Sequence, residues 1–320
     1  MSIRCCFMCA YNIYNSTLGR WFHNCVMRNR HERRLRAGLS LSHSWVDREI
    51  FDFGSVKVKV VPLGRTNYSY FIQDTATGEL GIVDPGDHDY LVSIARNYFK
   101  CPVTAVFLTH KHWDHSAGIH ELLRTYPKLK VYASNLEKIQ DITDRVADSE
   151  MIKFGNTVLK VISTPVHTNG SLCFYISPEN SPGLLFTGDT LFVGGMGAFF
   201  EGDIKKACSS ISKINALPDD TYIFPGHEYS ETTLKFALYL QPQNKILLKK
   251  SSWVVKRRVR YMMTIPTTIR EEKSYNPFLR IYDTSFYQTL GVSHYLGAIA
   301  KLQELRMRKR HEYKNIELKI

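Results

Sequence analysis

The feature that most constrains the fold is a series of short apolar runs between residues 56 and 224, separated by turn residues. The first run, residues 56–61, alternates apolar and polar positions, which predicts a strand with one face on a core. Later runs of strand length lie at residues 68–72, 80–83, 103–108, 157–162, 171–176, 183–187 and 221–224. This pattern predicts a domain built on β-sheets.

Helix-like stretches lie between some of these strands, at residues 89–99, 116–126 and 203–216. After residue 229 the strand pattern largely stops, and helices are predicted at residues 231–262 and 285–313. Strands with interspersed helices indicate an α/β or α+β layered domain. We therefore expect three parts: a basic segment at 1–50, a mixed domain at 51–230 and a helical domain at 231–320.

The formal net charge of +12 is concentrated at the two ends of the chain. Residues 1–50 hold eight arginines against three acids, and residues 249–320 hold sixteen basic residues against six acids. The middle is slightly acidic, whereas a nucleic-acid enzyme would need a basic stripe beside its catalytic residues. We expect no nucleic-acid partner.

Residues 1–36 contain seven arginines, one acid and interleaved aromatic residues, and they are too polar for a membrane-spanning helix. Three interpretations remain open: a mitochondrial presequence, a palmitoylated anchor that contacts a membrane surface, or a disordered basic tail. The odd number of cysteines, seven, shows no disulfide framework and favours a reducing compartment. We expect an intracellular protein, mitochondrial or membrane-associated through this segment and otherwise cytoplasmic.

A dense cluster of metal-ligating residue types follows the predicted strand at 103–108: His110, His112, Asp114 and His115. Imidazole and carboxylate groups are ligands that zinc, iron and manganese accept. A loop at the end of a strand can direct several side chains at one point while the sheet holds its backbone. The cluster therefore predicts a metal site.

Three further candidates, His167, Asp189 and His227, each follow an apolar strand. A single residue of this kind is more often an ordinary surface or capping residue. Together with the cluster they bring the ligand count to seven, which suffices for two divalent metal ions with open positions for water and substrate. Zinc is the expected ion, with iron or manganese as alternatives.

These motifs resemble the metallo-β-lactamase superfamily and, within it, the glyoxalase II (hydroxyacylglutathione hydrolase) branch. The resemblance covers roughly residues 55–310 and rests on LTHKHWDHSAG at 108–118, TPVHT at 164–168, TGDTLF at 187–192, GGMGAFFEG at 194–202, PGHEY at 225–229 and EEKSYNPFLR at 271–280. The last segment is the most specific, because superfamily members with other chemistry share the histidine cluster. The resemblance implies an αββα sandwich followed by a helical substrate-binding domain.

The resemblance also implies roles for the candidate residues. One metal ion would be held by His110, His112 and His167, the other by Asp114, His115 and His227, with Asp189 bridging the two. The implied reaction is hydrolysis of a small-molecule thioester, S-2-hydroxyacylglutathione (S-lactoylglutathione) or a related one, by a metal-bridging hydroxide. Asp114 would act chiefly as a ligand, and orienting the hydroxide as a base is its alternative role.

The substrate-binding positions depart from the family pattern. Ala198 and Phe200 stand where the family typically has Lys and Tyr, so a cation and a hydroxyl donor are missing. The remaining candidates for substrate contacts are Tyr229, Arg306, Arg308 and Lys309.

Two other functions compete with the hydrolase. A persulfide dioxygenase of the same superfamily would use one iron with His110, His167 and Asp189. The second alternative is a protein that keeps the fold and the metals but acts mainly by binding partners or a membrane through its basic ends. Metal analysis and a panel of thioesters would distinguish the three.

Overall fold

The computed structural model describes residues 50–318. The predicted basic segment therefore lies outside the described residues, apart from Ile50, and so do its three interpretations and the membrane-surface contact predicted for residues 1–36. Within the described part of the chain, no helix is both long enough and apolar enough to cross a membrane.

In the described range, the first sheet has seven strands in the order β1 to β7. They are Ile50–Asp52, Val56–Leu63, Asn67–Asp74, Leu80–Val83, Val103–Phe107, Lys130–Ser134 and Asp144–Val146. Neighbours from β1 to β4 are antiparallel, and neighbours from β4 to β7 are parallel. Parallel neighbours end at the same edge of a sheet, so the segments that follow β4 and β5 lie side by side.

The second sheet has the strand order β15-β14-β11-β10-β9-β8. These strands are β8 Met151–Phe154, β9 Thr157–Ser163, β10 Leu172–Ile176, β11 Leu184–Gly188, β14 Tyr222–Pro225 and β15 Thr267–Thr268. A small hairpin of β12 and β13 follows β11, at Leu191–Phe192 and Gly195–Met196. Strands β11 and β14 are parallel, so the segments that follow them also lie together.

The helices of the described residues, numbered α1 to α10, are His88–Ile94, Trp113–Ser116, Ile119–Thr125, Ile204–Asn215, Ser230–Leu240, Lys245–Arg258, Ile269–Tyr275, Thr284–Leu290, Tyr295–Arg308 and Arg310–Lys314. A π-helical turn, Ala95–Phe99, extends α1. The helix predicted at 231–262 is two helices, α5 and α6, because Pro242 cannot continue α5. Asn244 then caps α6 by accepting from the backbone N–H of Ile246 and Leu247.

Alternate residues of the strands pack on opposite faces and build four layers. Tyr70 of β3 lies between the two sheets, where its ring centroid is 5.3 Å from that of Phe186. Its neighbour Phe71 points to the other side, into a cluster with residues of α1 and α3. On the outer face of the second sheet, Ile223 packs in a cluster with residues of α4 and α9. The predicted αββα sandwich followed by a helical region is confirmed.

The C-terminal helical region is joined to residues 192–200, here called the site loop, by buried polar groups. Asn276 Nδ2 donates to the carbonyl oxygens of Phe192 and Gly195 at 3.3 and 3.1 Å. The same amide donates to Glu272 Oε2 at 2.8 Å, and that oxygen also accepts from the backbone N–H of Gly194. Because Glu272 and Asn276 are fully buried, each of these hydrogen bonds is costly to lose.

Replacing Asn276 with alanine is expected to lower the free energy of unfolding by at least about 2 kcal/mol, because buried acceptors lose their donor. The midpoint of urea unfolding measures the change. Asn315→Ala is the matched control, since this asparagine is exposed and should leave the midpoint in place. Equal midpoints for the two variants would show that the hydrogen bonds from Asn276 to the site loop do not stabilise the fold.

Candidate metal centre

The seven predicted ligands lie at one edge of the sandwich, where strand ends from both sheets meet. The backbone N–H of Leu172 in the second sheet donates to the carbonyl of Thr109, which follows β5, at 2.8 Å. On the other side, Tyr68 N–H of β3 donates to the carbonyl of Gly226, which follows β14. These contacts join the loops of the two sheets and bring distant sequence segments together.

Among the described residues, two sets of side chains that could hold a metal ion match the predicted ligand sets. His110, His112 and His167 form one set, and the potential ligand atoms lie within 4.8 Å of one another. The other set is formed by Asp114, His115 and His227, with the same spacing.

Asp189 lies between the two sets. Its Oδ2 is 3.3 Å from His167 Nε2 of the first set and 3.4 Å from His227 Nε2 of the second. Its Oδ1 is 3.4 Å from His115 Nε2. A single carboxylate thus faces ring nitrogens from both sets.

Unpartnered buried atoms indicate that this donor set fits divalent metal ions. His110 Nε2 and Asp189 Oδ1 are buried and have no hydrogen-bond partner, although such atoms are paired in most proteins. His112 Nδ1 and His167 Nε2 approach to 2.9 Å, so two ring nitrogens point at a common position. Nitrogen and carboxylate oxygen are the ligands that transition-metal ions prefer.

The pKa of His112 in the first set and the pKa of His115 in the second set are shifted in opposite directions. Burial and the adjacent His167 lower the pKa of His112 to about 3, so this imidazole is neutral and has the lone pair that metal binding requires. Burial also lowers the pKa of His115, but three carboxylates outweigh it and raise the pKa to about 10. These carboxylates are Asp114, Asp189 and Asp84. Without metal His115 is therefore protonated at neutral pH, and an ion bound here would displace its proton.

Hydrogen bonds to the far ring nitrogens orient the histidines. His167 Nδ1 donates to the carbonyl oxygen of Ala198 at 3.0 Å, and His115 Nδ1 donates to Asp84 Oδ2 at 2.9 Å. The Nδ1 of His227 lies 3.1 Å from the hydroxyl of Thr66. In each of these three histidines the Nε2 atom faces the centre. Metal-binding histidines are usually oriented in this way, by a hydrogen bond to the other ring nitrogen.

Asp84 is a further candidate residue of the centre, and it is absent from the seven predicted ligands. Its Oδ1 accepts from the backbone N–H of Thr109, and its Oδ2 accepts from the hydroxyl of the same residue. That hydroxyl is 3.0 Å from His110 Nδ1, so Asp84 connects His115 with His110. Its φ of 52° lies in the left-handed region, which aspartate tolerates better than most residues. The signal was available, because Asp84 directly follows β4 as Asp189 directly follows β11.

Replacing Asp84 with asparagine is expected to lower activity or metal affinity by about 10–100-fold, the usual effect of losing an outer partner of a metal-binding histidine. Thioester turnover and metal content per chain measure the loss. Asp52→Asn removes an exposed carboxylate that pairs with Lys57 and serves as the control. Unchanged metal content and turnover in Asp84→Asn would rule out the orienting role.

The close packing around Gly226 explains why the segment PGHEY has a glycine before its histidine. A Cβ atom at this position would lie 2.6 Å from Asp189 Oδ1 and 2.8 Å from a ring carbon of His115. Only a residue without a side chain lets the backbone approach the centre this closely.

A cavity of about 250 Å³ opens on the centre. It is lined by His112, Asp114, His167, Asp189, Phe192, Ala198, Phe200, His227 and Tyr229. Tyr229, a predicted substrate contact, stacks on His227 with ring centroids 4.6 Å apart. Ala198 and Phe200, the two departures from the family pattern, also form part of the wall.

The three basic candidates of the last predicted helix lie elsewhere in the described structure. Arg306 is directed at the site loop, where Nη1 donates to the carbonyl oxygens of Met196 and Gly197 at 2.7 and 3.1 Å. Arg308 pairs with Glu304, and Lys309 pairs with Glu312. None of the three lines the cavity. Substrate contact by these residues stays a prediction.

The sequence matches two protein families in succession. The match to the Metallo-beta-lactamase superfamily covers residues 63–141 and 142–227, and the match to Hydroxyacylglutathione hydrolase C-terminus covers residues 228–311. The chain belongs to the metallo-beta-lactamase superfamily, in its hydroxyacylglutathione hydrolase branch. The resemblance stated from the motifs is thereby confirmed.

Relatives of this hydroxyacylglutathione hydrolase family member support the assignment. The "Hydroxyacylglutathione hydrolase cytoplasmic" of Arabidopsis thaliana is 35% identical over 257 residues, which cover 79% of this chain and 98% of that protein. The "Hydroxyacylglutathione hydrolase-like protein" of Gallus gallus is 37% identical over 239 residues, covering 74% of this chain and 84% of that protein.

A solved metallo-beta-lactamase from Staphylococcus aureus shares the fold of this hydroxyacylglutathione hydrolase family member. Its TM-score is 0.56 at 22% identity, and the match covers 83% of this chain and 76% of that chain. At this identity the likeness concerns the fold alone.

Proposed function

We propose that the protein is a metal-dependent hydrolase that cleaves a thioester, S-2-hydroxyacylglutathione (S-lactoylglutathione) or a related compound. The observation that carries this proposal is the convergence of two ligand sets on Asp189 at the floor of a cavity. The printed names of the relatives, which are hydroxyacylglutathione hydrolases, supply the substrate class.

In this proposal His110, His112 and His167 would hold one ion, Asp114, His115 and His227 would hold the second, and Asp189 would be shared by both. The distances from Asp189 Oδ2 to nitrogens of both sets support the bridging role. We expect zinc, because imidazole and carboxylate groups are common zinc ligands, while iron and manganese accept the same donors.

Divalent ions bound here would lower the pKa of water and polarise the thioester carbonyl. The protein's own residues hold the reacting groups in place. Asn67 Nδ2 donates to Asp114 Oδ2 at 2.8 Å and thereby orients this carboxylate. In the proposal Asp114 acts chiefly as a metal ligand. Tyr229 and Phe200 flank the cavity, so they pack against the substrate and keep solvent away from its carbonyl.

We also propose a domain boundary between residues 230 and 231. The mixed domain then covers residues 51–230, and the substrate-binding helical domain covers residues 231–320. The change from one family match to the next at residue 228 supports this division. So does the succession of helices after β14, which β15 alone interrupts among the described residues.

Metal analysis combined with a thioester panel tests the function. We expect two metal ions per chain and hydrolysis of at least one thioester, with activity lost on metal removal. One iron per chain with oxygen consumption would instead identify a persulfide dioxygenase. Bound metal without turnover of any thioester would identify a metal-binding interaction protein.

A further inference from the structure

We propose that the cavity accepts thioesters of uncharged, apolar thiols in preference to those of the anionic thiol glutathione. This inference rests on the proposed hydrolase function and names the substrate class of the same site. It follows from the wall of the cavity and from the partners of the nearby basic side chains.

Apart from the candidate ligands, the wall consists of three aromatic side chains, of which Tyr229 alone carries a hydroxyl, and the methyl group of Ala198. Phe200 lies over the first ligand set, with its ring centroid 4.9 Å from that of His167 and 5.9 Å from that of His112. Phe192 and Tyr229 lie over the second set, and their ring centroids are 5.1 Å apart. Apolar rings therefore flank both ligand sets, a surface that binds apolar groups.

Phe200 is the residue most available to a substrate. Its side chain is 52% exposed although it contacts two histidines of the centre. Large exposed aromatic surface at the mouth of a cavity is stabilised when a ligand covers it. The adjacent Ala198 contributes only a methyl group, while its carbonyl is used by His167.

The basic side chains near the centre are directed to other partners. Lys111 Nζ lies 2.7 Å from Glu201 Oε1 and 3.5 Å from Glu137 Oε2. Arg306 donates to carbonyl oxygens of the site loop. Of the described residues that line the cavity, none is lysine or arginine. A carboxylate bound against this wall would lose its water without gaining an ion pair.

The test compares thioesters that share the lactoyl group and differ only in the thiol. The glutathione thioester carries two carboxylates and an amine, and the N-acetylcysteamine thioester is neutral. On metal-loaded protein, kcat/KM for the neutral thioester is expected to be at least about 10-fold higher, the scale of discrimination that contacts of one or two groups supply. Calorimetry with the uncleavable thioethers S-hexylglutathione and S-hexyl-N-acetylcysteamine should rank affinity in the same order.

Two variants assign the preference to the wall. Ala198→Lys introduces a cation and should raise kcat/KM for the glutathione thioester about 10-fold relative to the neutral one. Ala76→Lys makes the same charge change on an exposed turn and should leave the ratio unaltered. Phe200→Ala should lower kcat/KM for the neutral thioester, chiefly through KM, and weaken binding of the neutral thioether.

A glutathione thioester that is cleaved about 10-fold better than the neutral one would overturn this inference and leave the hydrolase standing. Equal shifts of the ratio in Ala198→Lys and Ala76→Lys would also overturn it. If metal-loaded protein cleaves no thioester, the hydrolase proposal fails and this inference fails with it.

Discussion

The Asp189→Ala variant is expected to lose at least ~100-fold in thioester hydrolysis, because outer partners of metal ligands alone are worth 10–100-fold and Asp189 is placed as a ligand. The pKa of Asp189 lies well below its ordinary range: burial raises it, but His227, His115 and His167 outweigh burial. The carboxylate is therefore ionised, and its loss removes the charge shared by both ligand sets. Metal content per chain should fall together with turnover.

Asp189→Asn and Asp148→Ala complete this experiment. The first keeps the shape of the side chain and removes its charge, so it should resemble Asp189→Ala. The second removes a half-exposed carboxylate that pairs with Lys213 and should behave as the unaltered protein. Full metal content and full turnover in Asp189→Ala would contradict the bridging role.

Removal of the metal by a chelator is expected to abolish hydrolysis and to lower Tm by about 5–10 °C, since an ion at 100 times its Kd adds about 2.7 kcal/mol of stability. The physical reason lies in the buried atoms His110 Nε2 and Asp189 Oδ1, which have no hydrogen-bond partner in the protein. Calorimetric Tm and thioester turnover, before and after metal is restored, measure both effects.

The control for chelation is the Asp189→Ala protein. Because this variant is expected to hold less metal, its Tm should respond less to the chelator. A chelator that strips the metal from the unaltered protein and leaves both Tm and turnover in place would refute the role of the centre.

The candidate metal centre was largely predictable from the sequence because its candidate ligands share a local signal. Each ligand segment follows a strand-length apolar run, and strands that end at one edge bring such segments together. The segments after β5, β11 and β14 all lie at that edge. Asp84 carries the same signal after β4 and was missed, since one carboxylate has no cluster around it to mark it.

Other elements were missed for reasons of length and packing. Strands β7 and β8 have only three and four residues, and β6 has exposed Lys130 at its start, so their apolar runs are weak. Their strand conformation comes from pairing with neighbours in the sheet. Helix α7 was also missed, because it is only seven residues long and its role is to place Glu272 and Asn276 under the site loop.

By itself the sequence determined the family, the layered fold and the seven candidate ligands, because residue type, apolar periodicity and the order of motifs are properties of the chain. The sequence also named Phe200 and Tyr229 as substrate-binding positions. Only the tertiary structure showed that Phe192 shares the cavity wall with them and that Arg306 is directed at backbone carbonyls. The direction of a side chain depends on neighbours that are distant in sequence, and no local pattern encodes it.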